Sequence, residues 1–261
     1  MRHLRLFTLF IKISVMNELQ YRANFYVQIF QSILSLIVAL GSLSIVYDHT
    51  ESLNGWTSSE LLAIVGVYFL IGSGIRTVIQ PSMQQLMQDI RLGTLDYVIL
   101  KPVETQFIVS VRQVQMWKIA DFFIGLVLIS IGISQMGVHV QPQDVVIFIF
   151  LLICGLLIVY SFWLALATIT FWFIKIDNIL VIFETMYEAG RWPVRIYPSW
   201  LEIILTFLVP VAFAVTIPVE GITGRVSSGT ILFAATLAVA ALVLSHYFWR
   251  IGIRAYSGAS A

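Results

Sequence analysis

Long apolar runs separated by short polar breaks dominate the chain, and a spanning helix needs about 20 mostly apolar residues. Residues Ala23–Val46, Leu61–Ile79, Ile119–Val138, Val145–Phe173 and Thr230–Trp249 meet that requirement. The stretch Asn178–Ile217 is also apolar, but Glu184, Glu188, Arg191, Pro193, Arg195, Pro198, Glu202 and Pro210 interrupt it. It has room for one further crossing and a broken, re-entrant piece. Ahead of the first run, Leu6, Leu9, Phe10, Ile13 and Met16 fall at helical spacing among Arg2, Arg5, Lys12 and Arg22. That spacing predicts an amphipathic helix over residues 1–22 lying in the membrane interface, although the plain start of the first span fits as well. The basic residues are spread through the segment and no small-residue cleavage site follows, so it does not read as a cleavable signal.

Composition removes the soluble classes. Of 261 residues, 59% are hydrophobic and 11% charged. A soluble domain carries about 25% charged residues, so the apolar surplus here faces lipid. The 13% aromatic content suits interfacial belts of Trp and Tyr. A net charge of +1 gives no electrostatic case for a nucleic-acid partner. Cys154 is alone in an apolar run and reads as a packed small hydrophobe. The histidines, at 3, 49, 139 and 246, are too scattered for a metal site, and no Ser/His/Asp or Cys/His arrangement is visible. The expectation is an all-α polytopic membrane protein forming one domain over residues 1–261.

Lys and Arg in short loops set orientation. The N-terminal segment is basic, whereas the 48–60 loop has Asp48, Glu51 and Glu60 and no Lys or Arg. The 80–118 segment carries Arg91, Lys101, Arg112 and Lys118, the 139–144 loop carries none, and the tail has Arg250 and Arg254. This alternation predicts cytoplasmic termini, a cytoplasmic 81–118 loop and an even number of spans, with six the economical count. If the fourth span ends inside near Lys175, one net crossing remains between it and the last helix. Either Asn178–Gly190 crosses and Leu201–Ile217 dips back from outside, or Leu201–Ile217 crosses. Hydropathy alone favours the second, because Glu184 and Glu188 are costly at mid-bilayer.

Pro81 to Lys118 is long in a chain of short loops. In it, Gly93 is placed as a helix C-cap, Thr94 as the cap of a short helix Leu95–Leu100, and Pro102 as its stop. The short helix exposes apolar side chains, which calls for a cover, either a cytoplasmic partner or this protein's own N-terminal helix.

The run Asp89 to Val103, DIRLGTLDYVILKPV, resembles the cytoplasmic loop of ABC transporter type-2 (ABC-2) permeases, with its acidic and basic residues, Gly-Thr-Leu, a second acid, Leu and Pro. Gly190-Arg-Trp-Pro-Val, Tyr197-Pro-Ser-Trp-Leu and Pro210-Val-Ala-Phe are similar to the family's Gly…Pro…Pro-Trp-Leu…Pro pattern before its last span. Gly55, Trp56 and Glu60 resemble the first outer loop of its bacterial multidrug/lipid-type exporter branch. The resemblance covers nearly the whole chain. It implies a permease subunit coupling ATP hydrolysis on a separate chain to export across the bacterial inner membrane.

The resemblance also implies partners and sites. The partners would be an ABC ATPase, in two copies, and a second permease copy or related permease. Because the chain has no GxxxxGK[ST] loop, ATP and Mg would be held by the ATPase, with no cofactor and no catalytic residue here. Carried over by position, the coupling residues are Asp89, Arg91, Gly93, Thr94, Leu95, Asp96, Ile99, Leu100, Lys101 and Pro102. Leu95, Ile99 and Leu100 would fill the ATPase cleft, with Asp89, Asp96, Arg91 and Lys101 as rim ion pairs. The family pattern also favours Asn178–Gly190 as the fifth span and places 190–228 outside as a re-entrant region. Glu184, Tyr187, Glu188, Arg191, Trp192, Pro198 and Trp200 then become candidates for a pathway or gate. For the two acids an interhelical pair, with Arg191, is an equal reading.

Other residues are given structural roles. Arg76 is expected to snorkel to the cytoplasmic interface, Asp121 to lie at the interface near Lys118, and His246 to precede an aromatic belt. Gly72 and Gly74 are expected to let helices pack closely. The rival to a transporter is a membrane scaffold or assembly protein that binds a cytoplasmic partner through the same loop. A lipid-modifying enzyme is disfavoured by the lack of a clustered polar site in the sequence.

Overall fold

The computed structural model describes residues 2–19, 22–137, 140–173 and 178–256, which form helices and no strands. His139 and Lys175, used above for the loop count and the end of span four, lie outside the described residues. Helix α1 is Arg2–Leu19, α2 is Arg22–Tyr47, and α3 is the continuous rod Ser58–Leu92. Two short helices follow, α4 at Asp96–Ile99 and α5 at Thr105–Val111. Then come α6 at Ile119–Gln135, α7 at Pro142–Ile169 and α8 at Asn178–Tyr187. A bent pair, α9 at Ser199–Leu208 and α10 at Ala212–Ile222, precedes α11 at Ser228–Ala255.

Among the described residues, five helical stretches are long and apolar enough to cross a membrane, and they coincide with the five apolar runs. By length and composition the bent pair makes a sixth. In α3, 72% of the most apolar window is buried, against 17% in α2 and in α11. The long rod is therefore the central post, and the outer helices turn their apolar faces to lipid. On α1, Leu9, Ile13 and Met16 face away from the protein while Ser14 is buried.

Close packing sits about two turns from where the sequence suggested. A Cβ on Gly125 of α6 would stand 2.7 Å from the Gly66 carbonyl oxygen of α3, so these helices meet backbone to backbone. At Gly72 and Gly74 a Cβ would meet only side chains, Tyr187 at 3.3 Å and Leu156 at 3.5 Å.

Pro81 sits inside α3. It lacks an N–H and its ring crowds the carbonyl four residues back, that of Thr77. A π-helical turn, Ile75–Ile79, absorbs the misfit. The freed Thr77 carbonyl accepts from the Gln115 N–H at 2.8 Å. One turn on, the Ser82 hydroxyl donates to the Gln113 carbonyl at 3.0 Å. The π turn and the chain entering α6 are thus laced together.

The two ends of the molecule differ in chemistry. At the acidic end, Thr57 and Glu60 form a capping box on α3 and the Arg225 guanidinium pairs with Glu60 at 2.6 Å. Arg225 also lies 5.0 Å over the buried Trp56 ring. The opposite end carries α4 and is called the wedge end below. Between them α8 and the chain after it climb along α3. Glu184 meets Gln80, Tyr187 donates to the Tyr68 carbonyl at 2.9 Å, and Asn54 donates to the Arg195 carbonyl at 3.0 Å. The bent pair then starts near Tyr197 and closes near Arg195, where Glu220 pairs with it at 3.3 Å. Its elbow, bent by 76°, carries Pro210, and Val211 there meets Gly190 deep in the bundle. Both arms of the pair therefore open toward the acidic end.

Candidate functional site

At the wedge end, α3 stops because Gly93 takes the left-handed conformation, φ 69°, which costs a glycine little. Asp89 latches the turn that follows. Its carbonyl accepts from the backbone N–H of Thr94 at 3.0 Å and of Leu95 at 3.3 Å. Its carboxylate accepts from the Thr94 hydroxyl and from Gln85, both at 2.9 Å, and pairs with Arg112. The hydroxyl of Thr94 is therefore spent on Asp89, and α4 has no side-chain cap. Leu95 and Val98 are buried beneath α4, while Leu92, Tyr97 and Leu100 project, Leu100 with 82% of its surface exposed. The last helix reaches the same place. Burial, and then the negative charge of Asp96, raise the pKa of the Tyr256 phenol just past the end of α11.

Inside the bundle lies a second polar constellation. Arg76, on the π turn of α3, reaches Glu184 of α8 at 3.5 Å and Asp121 of α6 at 3.9 Å. It also donates to the Tyr68 hydroxyl at 3.3 Å. Gln80 donates to Glu184 at 2.9 Å. The Tyr187 and Tyr68 rings stack at 5.0 Å, and the Arg191 guanidinium sits 5.2 Å over Tyr68. Arg191 faces Glu188 at 3.9 Å. Tyr68, Arg76, Asp121, Glu184, Glu188 and Arg191, with Lys118, Gln31 and Ser32, line a cavity of about 270 Å³ between α2, α3, α6 and α8.

A protein-family model described as ABC-2 family transporter protein matches residues 32–260. The chain belongs to the ABC-2 transporter family. It is a multi-pass membrane permease component of an ABC transporter, of the kind that works with an ABC ATPase. No curated protein and no solved structure gave a match to the chain.

Several site expectations for this ABC-2 permease change on the structure. Leu95 does not project into a cleft, because its side chain is fully buried under the turn. Asp89 is not on a rim, because it is the buried latch of Thr94 and Arg112. Asp96 is half-buried beside Tyr256, whereas Arg91, Ile99, Lys101 and Pro102 lie on the surface. Arg76 does not snorkel to water, since three protein groups hold its guanidinium inside the bundle. Asp121 is buried rather than interfacial. Of the pathway candidates, Glu184, Tyr187, Glu188 and Arg191 come together; half-buried Trp192 and exposed Pro198 and Trp200 line no part of this cavity.

The sequence reading missed Tyr68, Gln31, Ser32, Arg112 and Arg225. Gln28, Gln31, Ser32 and Ser35 recur at i, i+3, i+4 and i+7, a polar stripe that marks one face of α2 as not lipid-facing. That signal was available.

Proposed function

We propose that this permease is the membrane half of an exporter driven by ATP hydrolysis on separate ATPase chains, and that the Gly93–Pro102 turn is the wedge through which force enters. The observation that carries this reading is the inverted packing of the wedge. Its charged latch, Asp89 with Arg112, is inside, and its apolar residues Leu92, Tyr97 and Leu100 are outside. Burying each such side chain is worth roughly 1.5–3 kcal/mol, so the surface favours a partner over water. The lacing of the π turn of α3 to the chain entering α6 supports a rigid path from wedge to bundle. ATP and Mg would be bound by two ATPase copies, with a second permease completing the unit and both termini cytoplasmic.

In the same reading residues 178–196 make the fifth crossing and 199–222 form a re-entrant hairpin at the outer face. The contacts of Arg195 with Asn54 and Glu220 support it. Cysteine placed at Ser199, after replacing Cys154, is expected to react with an impermeant reagent from outside the cell.

The deciding experiment purifies the tagged chain with its ATPase and measures ATP turnover. Leu100→Arg is expected to abolish co-purification and stimulated turnover while the permease itself stays folded. Retention of both by Leu100→Arg and by Tyr97→Arg would refute the wedge.

A further inference from the structure

The cavity between α2, α3, α6 and α8 holds equal numbers of fixed cations and carboxylates, Arg76, Lys118 and Arg191 against Asp121, Glu184 and Glu188. Their mutual pairs are loose. The distances of 3.5–3.9 Å exceed the 2.7–2.9 Å or so of a charge-assisted hydrogen bond. Two polar atoms of residues that line the cavity, Asp121 Oδ1 and Ser32 Oγ, are buried and bond nothing among the described residues. A buried carboxylate oxygen without a donor is costly, more so within a membrane span. The arrangement is therefore incomplete by itself and lacks a donor on the Asp121 side. The volume of about 270 Å³ falls just under the range of about 300–1,000 Å³ usual for drug-sized ligands, so it suits a compact polar group. One wall is Leu34 of α2, half exposed on the lipid-facing side, which leaves a lateral way in.

We infer that this cavity binds a zwitterionic group, an ammonium joined to an anion such as a phosphate, with the ammonium on Asp121 and Glu188 and the anion on Lys118 and Arg191. A single positive or negative ligand would leave one half of the fixed charges opposed, whereas a dipolar ligand satisfies both. Tyr68 suits the same ligand. Its ring already carries a guanidinium on its face and its hydroxyl is hydrogen-bonded to Arg76. The inference deepens the pathway reading of Glu184, Glu188 and Arg191 and rests on it, but binding is measured on the permease alone, so failure of ATPase docking leaves it standing.

The test is native mass spectrometry and titration of the purified full chain in detergent with three probes. They are a short-chain phosphatidylethanolamine, the matching phosphatidylglycerol, and water-soluble phosphoethanolamine. The ethanolamine lipid is expected to bind about tenfold or more tighter than the glycerol lipid, as charge-assisted contacts of this kind imply. Competition by phosphoethanolamine assigns a headgroup that is recognised free in water. Failure to compete assigns a ligand drawn from the bilayer. Glu188→Gln and Lys118→Gln, whose side chains are not fully buried, are each expected to weaken binding about tenfold, and Asp121→Asn at least as much where it folds. Equal binding of the two lipids, or unchanged binding in both Glu188→Gln and Lys118→Gln, overturns the inference.

Discussion

The wedge and the charged cavity are built from the same residue types in opposite ways. In the wedge the ion pair is sealed under the turn and the apolar side chains point out. Its latch is tight: both carboxylate oxygens of Asp89 are used, and the same residue's carbonyl holds the next turn of chain. In the cavity the ion pairs are loose, face an open space and leave Asp121 Oδ1 without a donor. Rigidity suits a part that transmits force, and unfilled hydrogen-bonding capacity suits a part that receives a ligand. Arg112 Nε of the latch is unpartnered as well, so the contrast lies in the closeness of the ion pairs and the open space beside them.

Breaking the tight side should cost most. Asp89→Ala strands the Arg112 guanidinium, and loss of one partner of a buried pair costs about 3–5 kcal/mol. Thermal unfolding in detergent should show the largest fall in Tm of the variants named here; a shift no greater than that of a surface mutant would mean the latch is not structural. On the loose side, Arg76→Gln removes three contacts that already stand at 3.3–3.9 Å. A loss of about 1–3 kcal/mol is expected, smaller than for Asp89→Ala. If the order were reversed, the comparison would fail.

Gly93→Ala should lie lower still. The left-handed backbone there costs a side chain about 1–2 kcal/mol, and ATPase stimulation should fall with the altered turn. Leu100→Arg, at the most exposed apolar position of the wedge, should change the unfolding free energy by no more than about 0.5 kcal/mol while removing ATPase association. That pairing of unchanged stability with lost coupling sharpens the distinction between the latch and the face it presents.

The wedge was legible in the linear chain because its devices are local. Gly93, Asp89 and Thr94 lie within six residues, and both the left-handed cap and the exposed apolar helix follow from their order. Its orientation was not legible. Leu95 and Leu100 are equally apolar, and only their packing decides that the first is fully buried and the second exposed. Arg76 was placed correctly near the end of its apolar run, but a single helix cannot say whether a guanidinium turns to water or to partners. Glu184 lies 108 positions away in the chain, and only folding brings it within 3.5 Å.

Local pattern alone determined that this is an all-helical membrane protein, where its five long spans lie, and that a capped turn interrupts them. Hydropathy acts on each residue through its immediate solvent, so sequence order suffices to read it. The bundle's three-dimensional packing decided which apolar residues became surface, which charges met, and where hydrogen-bonding capacity was left unfilled. Those outcomes depend on distances between segments far apart in the chain, set by packing such as Gly66 against Gly125, and no local pattern encodes them.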